Sequence, residues 1–183
     1  MKGNLFKMTN LAVLITFAVV IHTVEAALPL PMPVPGVRLG LANMITLLAI
    51  LLYGARSGFL VAVLRTVVGS LIGGTFLGFG FWLSLAGGVT CTAVMSLAVL
   101  FMEKGYCSII SVSVLGAASH NLAQIAVAAA VVGSAALLQG YLPLLLLLAV
   151  PTGFFTGLAT FYLEGVTRRA LRQAGESGAA GWS

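Results

Sequence analysis

The sequence contains no aspartate, and its four acidic residues are Glu25, Glu103, Glu164 and Glu176. Chemistry that needs paired aspartates, such as holding Mg²⁺ around a diphosphate, is therefore beyond this chain alone. Charge of either sign is scarce, at 7% of 183 residues, where a soluble domain carries about 25%. With 60% apolar residues and a mean hydropathy of +1.13, this excludes a soluble globular domain and a disordered chain. The two cysteines, Cys91 and Cys107, show no metal-ligand spacing. Both fall in or beside apolar runs, where thiols are usually buried and inert. There is no Gly-rich P-loop with Lys and Ser/Thr, and no haem, iron–sulfur or flavin-attachment motif. The sequence thus predicts no metal and no cofactor of its own.

What it has in abundance is apolar length. A hydrocarbon core about 30 Å thick is crossed by about 20 apolar helical residues. Six such segments are readable, at 9–28, 38–54, 57–76, 79–102, 108–133 and 140–164. The predicted fold is an all-α integral membrane bundle of about six transmembrane helices, occupying residues 1–165. The second segment is short, so it is expected to begin as irregular backbone packed inside protein. Residues 166–183 form a short basic stretch followed by a Gly/Ala/Ser-rich tail, which predicts disorder from Gln173.

The nine Lys/Arg give a net charge of +5. With the N-terminus in the cytoplasm, Lys2, Lys7, Arg56, Lys104, Arg168, Arg169 and Arg172 all fall on the cytoplasmic side. Arg38 alone falls outside, and Arg65 lies within a span. This asymmetry predicts a multi-pass protein of the cell membrane with both termini cytoplasmic. It also accounts for the cations without nucleic acid. Lys2 and Lys7 before the apolar run that ends at Val24-Glu25-Ala26 resemble a signal peptide. The Pro-rich segment that follows and the polar residues of the first helix favour retention.

Polar residues at depth carry the functional information, because an ionisable group near the bilayer centre costs at least about 2.5–3.5 kcal/mol. His22 and Glu25 lie three residues apart on one helix face. They form either an interfacial pair or part of a site. Pro29, Pro31, Pro33 and Pro35 exclude a helix and predict a stiff extended external loop. It leads into Arg38 and Asn43, which suit an anionic ligand near a helix start, unless Arg38 only snorkels to headgroups. Arg65 lies nine residues beyond Arg56, or about 14 Å along a helix, too deep to snorkel. Glu25 is the only acid in the outer half, so a Glu25–Arg65 pair is expected. Arg65 has five donors, enough to meet an anionic substrate as well. His120, Asn121 and Gln124 share one helix face, either as interhelical hydrogen bonding or as a pocket lining. Glu25, Arg38, Asn43, Arg65, His120, Asn121 and Gln124 thus all fall at the middle or in the outer half. Such a distribution predicts a small-molecule pocket open to the exterior. A symmetric channel would line both halves. GxxxG spacings at Gly69/Gly73, Gly74/Gly78 and Gly153/Gly157 fit close helix packing or a partner subunit.

The segments Pro33-Val-Pro-Gly-Val-Arg-Leu-Gly-Leu-Ala-Asn43, Leu64-Arg65-Thr-Val-Val-Gly69, Ser84-Leu-Ala-Gly-Gly88 and His120-Asn-Leu-Ala-Gln124 resemble the Gx transporter family. That family is also labelled heptaprenyl diphosphate synthase component I. The resemblance spans about residues 9–165. The family is similar to the S components of energy-coupling factor transporters, which are six-helix membrane proteins with an external-facing pocket. The resemblance implies a subunit that captures a small vitamin-, flavin- or quinone-related compound for an energy-coupling ATPase/transmembrane module. It also implies an alternative, a membrane anchor within a prenyl diphosphate synthase or flavin-based redox complex. Without aspartate, the synthase label implies at most a non-catalytic subunit. A lipid-modifying enzyme would need a partner for His120 as base, and the sequence offers none.

Overall fold

A computed structural model of the chain describes residues 2–27 and 38–180, with side chains described for 5–27 and 38–173. The expected Pro-rich loop at 29–35 lies outside the described residues. Among those described, all regular structure is helical: α1 (Lys2–Ala27), α2 (Asn43–Tyr53), α3 (Ala55–Ile72), α4 (Phe79–Glu103), α5 (Ile109–Val132) and α6 (Ala136–Ala180). Five of them are long and apolar enough to span a bilayer, and α2 is a shorter apolar helix. The protein is a multi-pass membrane protein.

The short helix is the hub. α2 touches each of the other five, while α1, α3, α4, α5 and α6 contact one another in that order around it. Ile45 through Ile50 are all buried, as expected of a helix that is apolar all round. The arc does not close: α1 and α6 have no contact with each other among the described residues.

The second segment becomes helical only at Asn43, and Arg38–Ala42 runs as irregular backbone, as its shortness predicts. The cause is local. Gly40 has φ +79°, a left-handed conformation that interrupts a helix and favours glycine. At the other end Gly54, with φ +86°, lets α2 turn directly into α3. α3 stops at Ile72 rather than 76, where a turn at Gly73 and Gly74 begins. α6 extends past its predicted border, and its backbone is helical to Ala180 where composition predicted disorder. A Glu164–Arg168 ion pair of 2.6 Å spans one turn there, a spacing that supports helix continuation.

The glycine spacings separate by role. A Cβ on Gly153 would sit 2.6 Å from Val114 Cα, and one on Gly157 would sit 2.9 Å from Ile110 Cα. This pair lies in the α5–α6 contact, where Ser113 and Thr156 also share a hydrogen bond of 2.9 Å. Gly69 instead makes room for His22 of α1, and Gly74 faces open space. Gly153→Val is therefore expected to destabilise the bundle by about 1–3 kcal/mol, the usual cost of overpacking, measured by thermal melting in detergent.

Candidate functional site

The end of the bundle where α1 finishes and α2 begins gathers a cluster of buried polar side chains, including every buried charged residue among those described. α1 brings His22 and Glu25, each 4% exposed. The irregular segment brings Arg38, and α2 begins with Asn43. α3 contributes Arg65, α4 contributes Ser84, and α5 contributes His120 and Gln124. All are buried, so each must find partners inside the protein.

Glu25 finds them on the backbone. Gly40 N–H donates to Glu25 Oε1 at 2.6 Å, and Leu41 N–H donates to Glu25 Oε2 at 3.2 Å. The carboxylate therefore satisfies two amides that the irregular segment leaves without a helical acceptor. Gln124 does the matching work on the other side. Arg38 N–H donates to Gln124 Oε1 at 2.9 Å, and Gln124 Nε2 donates to Arg38 O at 3.2 Å. A side-chain amide thus stands in for a neighbouring backbone. Gln124 Nε2 also meets His120 Nε2, and Arg38 Nη1 donates to His22 Nε2.

Arg65 is 2% exposed, and its Nη2 donates to Asn43 Oδ1 at 2.5 Å. The expected Glu25–Arg65 ion pair is not formed. The only ion pair among the described residues is Arg168–Glu164. Glu25 and Arg65 line one small cavity together, but the carboxylate is occupied by backbone amides, which leaves Arg65 an uncharged acceptor. Asn121 also departs from expectation. Its Nδ2 donates to Leu145 O of α6 at 2.7 Å, so it ties α5 to α6 instead of joining His120 and Gln124 in one lining.

Small residues make the arrangement possible. A Cβ on Gly40 would fall 2.5 Å from Asn43 Nδ2, and one on Gly87 would fall 2.7 Å from the His120 ring. His22, read from the sequence as either interfacial or part of a site, joins the cluster, and so does Ser84, which was not singled out as a site residue. The three-residue spacing of His22 from Glu25 was the available signal for the first. Ser84 sat in a Gly-rich stretch that reads equally well as a smooth packing face.

The space enclosed is small. His22, Glu25, Arg38, Gly40, Arg65, Ser84 and His120 surround a cavity of about 10 Å³, room for about one water molecule. Among the described residues, the space that these side chains surround is thus smaller than the expected ligand-sized pocket, and Arg38 and Gln124 hold the irregular segment against the bundle beside it. Two features remain unbalanced. Two guanidinium groups face one carboxylate. Arg65 Nε, Asn43 Nδ2 and Ser84 Oγ are buried with no hydrogen-bond partner. Such orphaned polar groups cost stability and in native proteins ask for an explanation. Among the described residues no group of His, Cys, Asp and Glu is arranged to hold a metal ion. Cys91 is buried and Cys107 half-buried, both as free thiols.

The pairing of Arg65 is open to a double-mutant cycle. Asn43→Leu is expected to cost about 1.5–3 kcal/mol, the scale of a hydrogen bond to a charged group. Unfolding in detergent should give a larger coupling energy for Arg65 with Asn43 than for Arg65 with Glu25, using Arg65→Met in both cycles.

A family described as heptaprenyl diphosphate synthase component I matches residues 14–163. No curated protein and no solved structure matches the chain. The matched stretch runs from the first turns of the membrane part of α1 to the far end of the apolar part of α6, and so covers every side chain of the polar cluster. The chain belongs to the heptaprenyl diphosphate synthase component I family.

Proposed function

We propose that this chain is a membrane substrate-binding subunit of the S-component type. It captures a small vitamin-, flavin- or quinone-related compound at the polar cluster and works with an energising partner. The cluster end faces the exterior, and both termini lie in the cytoplasm of a cell whose membrane holds residues 1–165. The observation that carries the reading is the surplus of buried donors. Arg38 and Arg65 outnumber Glu25, and Arg65 Nε and Asn43 Nδ2 point to no acceptor. An anionic or carbonyl group entering the cavity would supply the missing acceptor and neutralise one guanidinium. In this scheme Arg38 and Arg65 meet that group. Asn43, His120 and Gln124 orient it, Glu25 holds the Gly40–Leu41 turn beside it, and Asn121 braces α5 against α6. Entry requires the Arg38–Gln124 clamp to release, since the closed cavity admits about one water.

A second reading follows from the family's description and from that same closure. The chain would then be a non-catalytic membrane subunit or anchor of a prenyl diphosphate synthase or flavin-based electron-transfer complex. The polar cluster would serve to fix the fold. Native mass spectrometry of the protein extracted from its own membranes separates the two. Substrate capture predicts one retained small organic compound per chain, distinct from phospholipid and detergent and lost in Arg65→Met. A wild-type chain that carries no such compound but copurifies with a synthase or redox subunit contradicts capture and supports the anchor.

A further inference from the structure

A much larger space than the cavity of the polar cluster lies elsewhere in the bundle. It is a groove of about 360 Å³ at the opening between α1 and α6, with α2 as its floor. That volume lies in the range of pockets that take small organic ligands. Its walls are almost wholly apolar, formed by side chains such as Val13, Phe17, Ile45, Leu48 and Leu163. Val13 and Phe17 are 48% and 59% exposed, so the groove opens sideways at a depth where the surroundings are lipid.

One end of the groove is different. Asn10, Tyr53 and Thr167 line it there, and cations ring it. Lys7 Nζ stands 5.7 Å from the centre of the Tyr53 ring. Arg168 and Arg172 line an adjoining hollow that shares Leu52 with the groove. Arg168 is tethered, with Nε on Glu164 and Nη2 on Leu51 O at 3.1 Å. Glu164 is the opposing charge at this rim. Lys7 and Arg172 are exposed, and no ion pair involves either among the described residues.

We infer that this groove binds one anionic membrane phospholipid. One of its acyl chains lies between α1 and α6, and its phosphate sits among Lys7, Arg168 and Arg172. Charge complementarity selects this occupant. An apolar trough that is open to lipid along its side and cationic at its polar end matches an amphiphile with a negative head. A zwitterionic lipid has a positive group that these cations repel. The bound chain fills the gap left by an arc of helices that does not close.

The test uses the full chain in detergent, stripped of lipid, then offered phosphatidylglycerol or phosphatidylcholine and examined by native mass spectrometry. One phosphatidylglycerol per chain should be retained in preference to phosphatidylcholine. Lys7→Gln or Arg172→Gln should each weaken that preference about fivefold, the scale of one interfacial cation. Val13→Trp, at a lipid-exposed wall position, should block retention while helical content stays at the wild-type level. Equal retention of the two lipids overturns the inference. So does undiminished phosphatidylglycerol binding in Val13→Trp. If Val13→Trp loses helical content, the two Gln variants decide, and an unchanged preference in both overturns it. Displacement of phosphatidylglycerol by equimolar farnesyl diphosphate would assign the groove to a prenyl diphosphate instead and also overturn it.

Discussion

Residues Arg38–Ala42 carry backbone N–H and C=O groups into the bundle without a helix to satisfy them. In a bilayer-embedded protein such backbone survives only where protein supplies the missing partners. Glu25 and Gln124 supply them here, one with a carboxylate on two amides and the other with an amide on both groups of Arg38. The rest of the cluster depends on this. Once the segment is fixed, Asn43 starts α2 within reach of Arg65, and Arg38 is delivered to His22. The polar residues are thus held from two sides of a segment that would otherwise be unsupported.

The same segment sets the architecture. Because irregular backbone takes up Arg38–Ala42, α2 is short and sits centrally, and the five longer helices pack around it. A short hub cannot bring α1 and α6 together along its flank. The lateral groove, which runs along α2, and the polar cluster, at the start of α2, are therefore two results of one local break in helix. Small residues then tune separate contacts: Gly153 and Gly157 seat α6 on α5, and Gly87 admits the His120 ring.

Much of the fold was legible in the sequence, for a physical reason. Apolar run length is dictated by bilayer thickness, so five long spans and the irregular start of the second could be read directly. Residue choice in the site was legible too, because ionisable groups at depth are costly and stand out. Partner choice was not. Glu25 was assigned to Arg65 by elimination among charged side chains, but every residue also offers a backbone amide, and those leave no mark in composition. Asn121 was grouped with His120 and Gln124 by helical spacing. Spacing shares a face only approximately, and one position of difference turned the amide toward Leu145. The closure of the cavity depends on how side chains settle against each other, which a pattern of residue types does not specify.

The central claim is that the Arg38–Asn43 segment is locked to the bundle through Glu25 and Gln124. Hydrogen–deuterium exchange of the peptide covering residues 38–43 tests it most directly, because exchange reports whether these amides open. The account predicts slow exchange, comparable to α2, in the wild-type protein. It predicts fast exchange in this segment alone when Gln124 is replaced by alanine. Exchange of the wild-type segment as fast as that of an exposed loop would contradict it.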